Sequence, residues 1–90
     1  MKPVRWSPHA LREIAKREID LAEAELTLRQ PDAIIPATPA RHFYQRRYVD
    51  KTLNETMLLR VLVEETDSEM AVVTLYKTSK FGKYEKGQGA

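Results

Sequence analysis

The stretch Thr56–Glu65, with the sequence TMLLRVLVEE, decides the fold that we expect for this chain. Side chains of a β-strand alternate between two faces, because the strand has a period of two residues. One face carries only apolar residues, namely Met57, Leu59, Val61 and Val63. The opposite face carries Arg60 between Leu58 and Leu62. The alternation therefore predicts a sheet with one face against a core and a charged residue on the other.

A second strand is predicted over Met70–Thr78, with the sequence MAVVTLYKT. The residues TDSE at 66–69 separate the two strands, and a polar segment of that length suits a hairpin loop. Thr74 and Tyr76 are two residues apart and share a face. We therefore expect a hydroxyl and a phenol beside Arg60, on the face that is turned away from the core.

Two helices are predicted in the first third of the chain, after a short strand at Val4–Trp6. Ser7 is typical of an N-cap, and Pro8 suits the first helical position, where its missing N–H is not needed. Asp20, followed three residues later by a glutamate, resembles a capping box and begins the second helix. Pro31 ends that helix, since proline removes a backbone donor and clashes with the preceding turn. This part of the chain therefore has the order β-α-α.

A third long strand is predicted over Arg41–Val49, after a proline-rich connection in which Ile34 and Ile35 pair briefly as an edge strand. A turn centred on Asn54 follows it. Strands that come after helices favour an antiparallel sheet with the helices on one face. The prediction is an α+β fold of order β-α-α-β-β-β, with two N-terminal helices packed on one face of a small curved antiparallel sheet.

Ninety residues, of which 42% are apolar, suffice for one small domain with a thin core. Residues 1–80 are expected to form that domain, and residues 81–90 a flexible basic tail that contains glycines. A chain of this size is marginally stable, which favours a partner protein or a homodimer.

The absence of cysteine excludes disulfides and cysteine-based zinc sites, and two histidines are too few for a histidine-only metal site. We therefore expect neither a metal nor a cofactor.

Hydropathy predicts where the protein is located, and the distribution of charge indicates the kind of partner that it binds. No apolar run approaches the roughly 20 residues that span a membrane, and no signal-peptide core is present, so a cytoplasmic location is expected. The net charge is only +2, but acidic and basic residues are clustered in different segments. Such segregation favours an oriented approach to a polyanion. An ordinary solvated surface explains these charges equally well.

The face opposite the core is predicted to collect polar side chains from three strands. Its candidate residues are Tyr44, Arg46, Tyr48, Arg60, Thr74 and Tyr76. Arginine clamps a phosphate with two parallel hydrogen bonds, and tyrosines offer stacking surfaces for unpaired bases. The combination is typical of a surface that binds single-stranded RNA. The tyrosines also suit a half-exposed sheet without any ligand, whereas a charge within an apolar strand needs a reason, which favours a function for Arg60 over a structural role.

His9 is expected in the first turn of the first helix. The positive end of the helix dipole favours a neutral imidazole there, the form that a general base needs, and it also attracts anions. A surface histidine without a function is the simpler interpretation. Arg17 lies eight residues further along and near the same side of the helix, or it pairs with Glu13 across one turn.

Several short segments resemble an uncharacterised bacterial domain family. They are His9-Ala10, Arg17-Glu18-Ile19, Pro31-Asp32 and Thr74-Leu75-Tyr76, and Arg60 lies where the family often has a basic residue. That family is distantly similar to the RelE and ParE toxins of toxin–antitoxin pairs, whose fold is two helices against a curved antiparallel sheet. The chain departs from the family pattern at Glu18, where glycine is usual, and at Glu13, where a second helical arginine is expected.

The resemblance implies a RelE-like toxin that acts as a metal-independent RNA endonuclease. In that reaction the 2′-hydroxyl attacks the adjacent phosphate, which requires a base, an acid and a cation. His9 is the implied base or acid, and Arg60 is the implied phosphate clamp. Thr74 would donate a hydrogen bond to a phosphate oxygen, and Tyr76 would stack or transfer a proton. Further RNA contacts are expected from Arg17, Tyr44, Arg46, Tyr48, Lys77 and Lys80.

The implied partners are RNA, including RNA on the ribosome, and an antitoxin protein. The main alternative is a non-catalytic module of the same fold that binds RNA or protein. A third class, a DNA-binding regulator with a helix-turn-helix, is disfavoured because the second helix and its approach carry four acids. These are Glu18, Asp20, Glu23 and Glu25. No glycine-rich phosphate loop, serine–histidine–acid set or histidine–glutamate zinc spacing is present in the sequence.

Overall fold

Five strands and three helices make up residues 1–85, which are the residues that the computed structural model describes. The strands are β1 (Val4–Trp6), β2 (Ala33–Pro36), β3 (Arg41–Asp50), β4 (Glu55–Glu65) and β5 (Met70–Thr78). The helices are α1 (Pro8–Lys16), α2 (Leu21–Arg29) and α3 (Phe81–Glu85). The predicted α+β fold is confirmed, with β2 at the predicted edge strand and α3 as an addition.

The sheet has the strand order β1-β5-β4-β3-β2, which places β4 at its centre. β4 pairs antiparallel with β3 and with β5, and β2 pairs antiparallel with β3. β1 pairs parallel with β5, in the register Val4↔Met70. A parallel partner needs a long connection, and here the chain supplies both helices and three strands between the two. The sheet is therefore antiparallel except at this edge.

The two N-terminal helices begin at the predicted caps. The side chain of Ser7 accepts a hydrogen bond of 3.0 Å from the backbone N–H of Ala10. The carboxylate of Asp20 accepts one of 2.9 Å from the backbone N–H of Ala22. Each bond satisfies one of the free N–H groups at a helix start and so fixes where the helix begins.

α1 ends in a Schellman motif built around Glu18. The backbone N–H of Ile19 donates to the carbonyl of Ile14 at 2.9 Å, and that of Glu18 donates to the carbonyl of Ala15 at 3.3 Å. The motif requires a left-handed residue, and Glu18 has a φ of 53°. Glycine adopts this conformation without strain, whereas an L side chain does not. This requirement gives a physical reason for the glycine that the resembling family has here.

Replacing Glu18 by glycine is expected to raise the free energy of unfolding by about 1 kcal/mol, because the left-handed strain is removed. For a domain of this size the same gain raises Tm by about 4 to 8 °C. Urea denaturation followed by circular dichroism measures it. Glu18→Ala is the matched control, since alanine removes the same side chain but keeps the strain. An equal gain in both variants would contradict the backbone explanation.

The core lies between the sheet and the helices α1 and α2, which pack on β5 and on β3 and β4. The predicted apolar face of β4 is buried there, and its members are Met57, Leu59, Val61 and Val63. The helices add Ala10, Ile19, Ala24 and Leu28, and β5 adds Val72 and Leu75. The prediction that this face of β4 meets the core is therefore confirmed.

The second face of the sheet is partly covered as well, by α3. The backbone carbonyl of Tyr84 accepts a hydrogen bond of 3.2 Å from Gln45, which pairs with Arg60 across β3 and β4. Leu58 lies on this same face and is fully buried. Residues 81–90 were expected to form a flexible tail, but Phe81–Glu85 is a helix packed on the sheet. The remainder of the expected tail, 86–90, lies outside the described residues.

Candidate active site

Arg60 is the centre of the polar cluster on the second face, which we call the arginine face. Its Nε donates to Oε1 of Gln45 at 2.9 Å, and its Nη1 donates to the hydroxyl of Tyr76 at 2.6 Å. The rings of Phe43 and Tyr84 lie 3.9 and 4.2 Å from the guanidinium carbon. Only 7% of Arg60 is exposed. The guanidinium is thus held between aromatic faces and oriented by two neutral acceptors.

The charge of Arg60 has no ion-pair partner among residues 1–85. The ion pairs of the described chain involve other arginines and lysines. Burial of an unpaired charge is costly, and the electron-rich ring faces offset only part of that cost. An anion that reached this guanidinium would therefore gain a charge interaction that residues 1–85 do not supply.

Tyr76 is the hydroxyl partner of Arg60 and also contacts Tyr84 edge to face, with ring centroids 6.0 Å apart. Burial raises the pKa of Tyr76, and the hydrogen bond with Tyr84 raises it further, against the lowering influence of Arg60. The same hydrogen bond lowers the pKa of Tyr84. Tyr76 therefore keeps its proton at neutral pH, while Arg60 lies ready to stabilise a phenolate if that proton is given away.

His9 and Thr74 form a second pair beside this cluster. Nε2 of His9 lies 3.2 Å from Oγ1 of Thr74. The capping residue Ser7 fixes the start of α1 against β5, because its hydroxyl also donates to the carbonyl of Val73 at 3.2 Å. The imidazole is exposed to solvent. A proton-accepting group and a hydroxyl are thus held within hydrogen-bond distance by two different elements.

The four residues predicted to be catalytic are brought to one region. The register pairs Arg60 with Tyr76 and Leu62 with Thr74, so both β5 side chains lie on the arginine face. The two are separated by about 7 Å along the strand. His9 reaches Thr74 from α1, at the edge of that face. His9, Thr74, Tyr76 and Arg60 therefore form a line that leads from the solvent to the buried guanidinium.

The prediction that Tyr44, Arg46 and Tyr48 lie on the same face as Arg60 is wrong. The register places them opposite Val61, Leu59 and Met57, on the face that the helices cover. A strand that is assigned to the wrong face has every side chain reversed, because the period is two. Alternation along β3 was read correctly, but it does not reveal which face meets the core.

These three side chains make structural contacts instead. Arg46 forms an ion pair with Glu23 of α2. The hydroxyl of Tyr44 donates to Glu65 at 2.9 Å, and burial together with that hydrogen bond raises the pKa of Tyr44 to about 12. Tyr48 is buried in the core cluster. The ordinary explanation for the tyrosines, that they cover the sheet, therefore applies to Tyr44 and Tyr48.

Lys77 was expected to contact RNA, but it also lies on the helix-covered face. It pairs with Leu59 in register, and its Nζ lies 2.6 Å from a carboxylate oxygen of Asp50. The exposed fractions of the two side chains are only 12% and 3%. The ammonium is thus committed to a buried ion pair. Lys80, by contrast, is exposed and lies immediately before α3.

Arg17 has the alternative role that the sequence left open. Its Nε lies 2.9 Å from Oε1 of Glu13, one helical turn earlier. The side chain of Arg17 is 43% exposed, and this surface pair contributes little to stability. Arg17 is not part of the cluster around Arg60, whose contacts among residues 1–85 come from β3, β5 and α3.

Sequence reasoning missed four residues of the arginine face. Alternation along β3 places three of them on the arginine face, namely Phe43, Gln45 and Arg47. Gln45 is almost fully buried, with an exposed fraction of 1%. Tyr84 comes from α3, in a segment that was assigned to the tail. The signal for the first three was present in β3, since they are the alternate set to Tyr44 and its neighbours.

Residues 1–85 contain no group of three or more histidine, aspartate or glutamate side chains arranged to hold a metal ion. Over the same residues, no helix is long and apolar enough to cross a membrane. The side chains that the described residues bring to the arginine face and its edge offer a cation, phenols, a hydroxyl and an imidazole.

Comparison with known proteins identifies a solved structure with a similar fold and a family to which the chain belongs. The crystal structure of the ribonuclease toxin BrnT from Brucella abortus superposes with a TM-score of 0.60 and 18% sequence identity, over 89% of this chain and 100% of that chain. The likeness shows a shared fold. No curated protein matches the chain. The model of a family described as a domain of unknown function, DUF4258, matches residues 6–77. Because that match spans most of the chain, this protein belongs to the DUF4258 family.

Proposed function

We propose that this protein is a metal-independent RNA endonuclease of the toxin type, with its active site on the arginine face. One observation carries the proposal: the buried guanidinium of Arg60, which has no ion-pair partner among residues 1–85, lies on the same face as Thr74, the hydrogen-bond partner of His9. Cleavage of a phosphodiester requires a cation beside one group that accepts a proton and another that gives one, and here these groups are His9 and Tyr76. The similarity in fold to a protein named as a ribonuclease toxin supports the same reaction class.

In the proposed reaction, the 2′-hydroxyl oxygen of the RNA attacks the adjacent phosphorus. His9 accepts the proton of that hydroxyl, and Tyr76 gives its proton to the departing 5′-oxygen. The P–O5′ bond breaks as the P–O2′ bond forms, which leaves a 2′,3′-cyclic phosphate and a 5′-hydroxyl. Arg60 stabilises both the negative charge at the phosphate and the phenolate of Tyr76, to which it already donates at 2.6 Å.

Thr74 has the position of a substrate-orienting group in this scheme. Its hydroxyl lies 3.2 Å from His9 and can donate to a phosphate oxygen once that contact opens. The separation of about 7 Å between Thr74 and Tyr76 along β5 suits one phosphodiester that touches both. Lys80 and Arg17, which are both exposed, are proposed as outer contacts to the RNA backbone.

The partners proposed for this function are single-stranded RNA, including RNA on the ribosome, and an antitoxin protein, with the cytoplasm as the location. We also propose that the protein is distantly related to the RelE and ParE toxins. A homodimer is a further proposal, motivated by the small core. No metal or cofactor takes part in the proposed steps.

Replacing His9 by glutamine is expected to lower the rate of RNA cleavage by at least about 100-fold, because the base that accepts the 2′-hydroxyl proton is lost. The initial rate is measured on a fluorescent single-stranded RNA in the presence of EDTA. His42→Gln is the matched control, since it makes the same change at the other histidine, on the helix-covered face. Equal rates for His9→Gln and the wild type would remove His9 from the mechanism.

A non-catalytic module that binds RNA or protein is the second candidate. It is favoured by the low exposure of Arg60, which is 7%, and by the aromatic rings on either side of it. Such a module would retain RNA without cutting it, and its affinity would fall steeply as the salt concentration rises. The cleavage assay distinguishes the two candidates.

A further inference from the structure

We infer that α3 occupies a nucleotide-binding surface by imitating RNA, and that Arg47 and Arg60 bind a base and a phosphate once α3 is displaced. The inference rests on the proposed ribonuclease function and adds Arg47 to the RNA-binding residues. Both arginines lie on the arginine face, where Arg47 pairs with Leu58 and Arg60 pairs with Gln45. Side chains of α3 contact both of them, Arg47 on its half-exposed side and Arg60 where it is buried.

The first contact of α3 has the chemistry of a bound phosphate. Glu85 receives two hydrogen bonds from Arg47, at 3.0 Å from Nε and at 2.5 Å from Nη2. This paired geometry is the one with which arginine binds a phosphate, because both groups present two oxygens in a plane. Hydrogen bonding to Arg47 lowers the pKa of Glu85, so the carboxylate is charged at neutral pH.

The second contact has the chemistry of a stacked base. The ring of Phe81 lies 4.1 Å from the guanidinium carbon of Arg47, and the ring of Tyr84 lies 4.2 Å from that of Arg60. Nucleobases stack on guanidinium groups in the same way as these rings. α3 therefore presents one anion and two rings to two arginines, as a short stretch of single-stranded RNA would.

α3 is suited to being displaced. It has only five residues, and a helix of that length has little stability of its own. The Arg47–Glu85 pair is half exposed on the arginine side, where solvent and salt weaken it. Arg60, in contrast, is fixed by Gln45 and Tyr76 from the sheet itself. Loss of α3 would thus uncover the arginine without releasing it.

The test uses the full chain with Phe81→Ala and Glu85→Gln combined, which removes the ring and the anion over Arg47. The control combines Leu21→Ala and Glu25→Gln, an exposed apolar residue and an exposed acid four residues apart on α2. Affinity is measured by fluorescence anisotropy with a labelled 2′-O-methyl oligoribonucleotide, which binds but is not cleaved. Exposure of Arg47 and Arg60 is measured separately, from their rates of modification by phenylglyoxal.

We expect faster modification of both arginines and about tenfold tighter RNA binding in the α3 variant, since the competent state is no longer a minor one. The control should match the wild type. Unchanged modification would show that α3 does not shield the arginines, and faster modification without tighter binding would show that they do not bind RNA. Either result overturns the inference. Tighter binding without any cleavage by either protein would support the inference and refute the proposed catalysis.

Discussion

Replacing Arg60 by methionine is expected to lower the rate of RNA cleavage by at least about 100-fold, while the protein stays folded. The loss follows because Arg60 is the only cation that touches Tyr76 among the contacts of residues 1–85, and charge stabilisation in a closed site is commonly worth that much. Methionine has a similar length and no charge, so it can occupy the space between Phe43 and Tyr84. Single-turnover cleavage rates measure the effect.

The folded state of this variant is checked by its circular dichroism spectrum and its urea denaturation. Removal of a buried charge often leaves the free energy of unfolding unchanged or raises it. The side chains of Gln45 and Tyr76 each lose a hydrogen-bond donor, however, and each loss lowers the free energy of unfolding by about 1 to 3 kcal/mol. Arg29→Met is the matched control, because Arg29 is an exposed arginine of α2, remote from the arginine face. A folded Arg60→Met protein that cleaves RNA at the wild-type rate would show that the arginine is structural.

Replacing Asp50 by alanine is expected to lower the free energy of unfolding by about 3 to 5 kcal/mol, the largest effect on stability that we expect from one substitution. Asp50 is 3% exposed and accepts from Lys77 at 2.6 Å, from Tyr48 at 2.8 Å and from the backbone N–H of Leu53 at 2.9 Å. Its loss leaves the ammonium of Lys77 buried without a counter-charge. Urea denaturation measures the change.

The double variant Asp50→Ala, Lys77→Met separates the charge effect from simple loss of packing. If an uncompensated ammonium causes the loss, removing it should recover a large part of the stability. A double variant less stable than Asp50→Ala alone would contradict that cause. Neither substitution touches the arginine face, so a folded double variant should retain RNA cleavage.

The same carboxylate predicts how stability depends on pH. Burial alone raises the pKa of Asp50, but the hydrogen bonds from Lys77, from the backbone of Leu53 and from Tyr48 outweigh it and lower the pKa to about 2. A lowered folded-state pKa means that the contribution is complete above the ordinary value of an aspartate and is lost as the pH falls through about 2. The wild type should therefore lose stability on acidification more than the Asp50→Ala, Lys77→Met protein does.

Much of the fold follows from local patterns in the sequence. The alternation of β4 identified its buried face because four apolar side chains lie two residues apart, and a single arginine interrupts the other face. Ser7 and Asp20 marked both helix starts because few residues cap an N-terminus well. The parallel pairing of β1 with β5 was not predicted, since it depends on contacts between residues more than sixty positions apart.

Only part of the site could be predicted, because the sequence indicates which face of β4 and of β5 meets the core but does not indicate it for β3. Arg60, Thr74 and Tyr76 were placed together because they come from adjacent strands whose faces were both fixed by their own patterns. β3 has aromatic and charged residues on both faces, so its pattern does not distinguish the core side, and Gln45 was overlooked. α3 was missed because five residues have no helical periodicity, and tertiary contacts alone hold them.

The measurement that tests the central claim most directly is mass spectrometry of the products formed from a single-stranded RNA by the wild-type protein in EDTA. The proposed reaction should leave a 2′,3′-cyclic phosphate on one fragment and a 5′-hydroxyl on the other, and an oligonucleotide without 2′-hydroxyls should stay intact. Arg60→Met should give neither product at a comparable rate. Intact RNA after incubation with folded wild-type protein, or fragments that end in a 3′-hydroxyl, would contradict a ribonuclease site at Arg60.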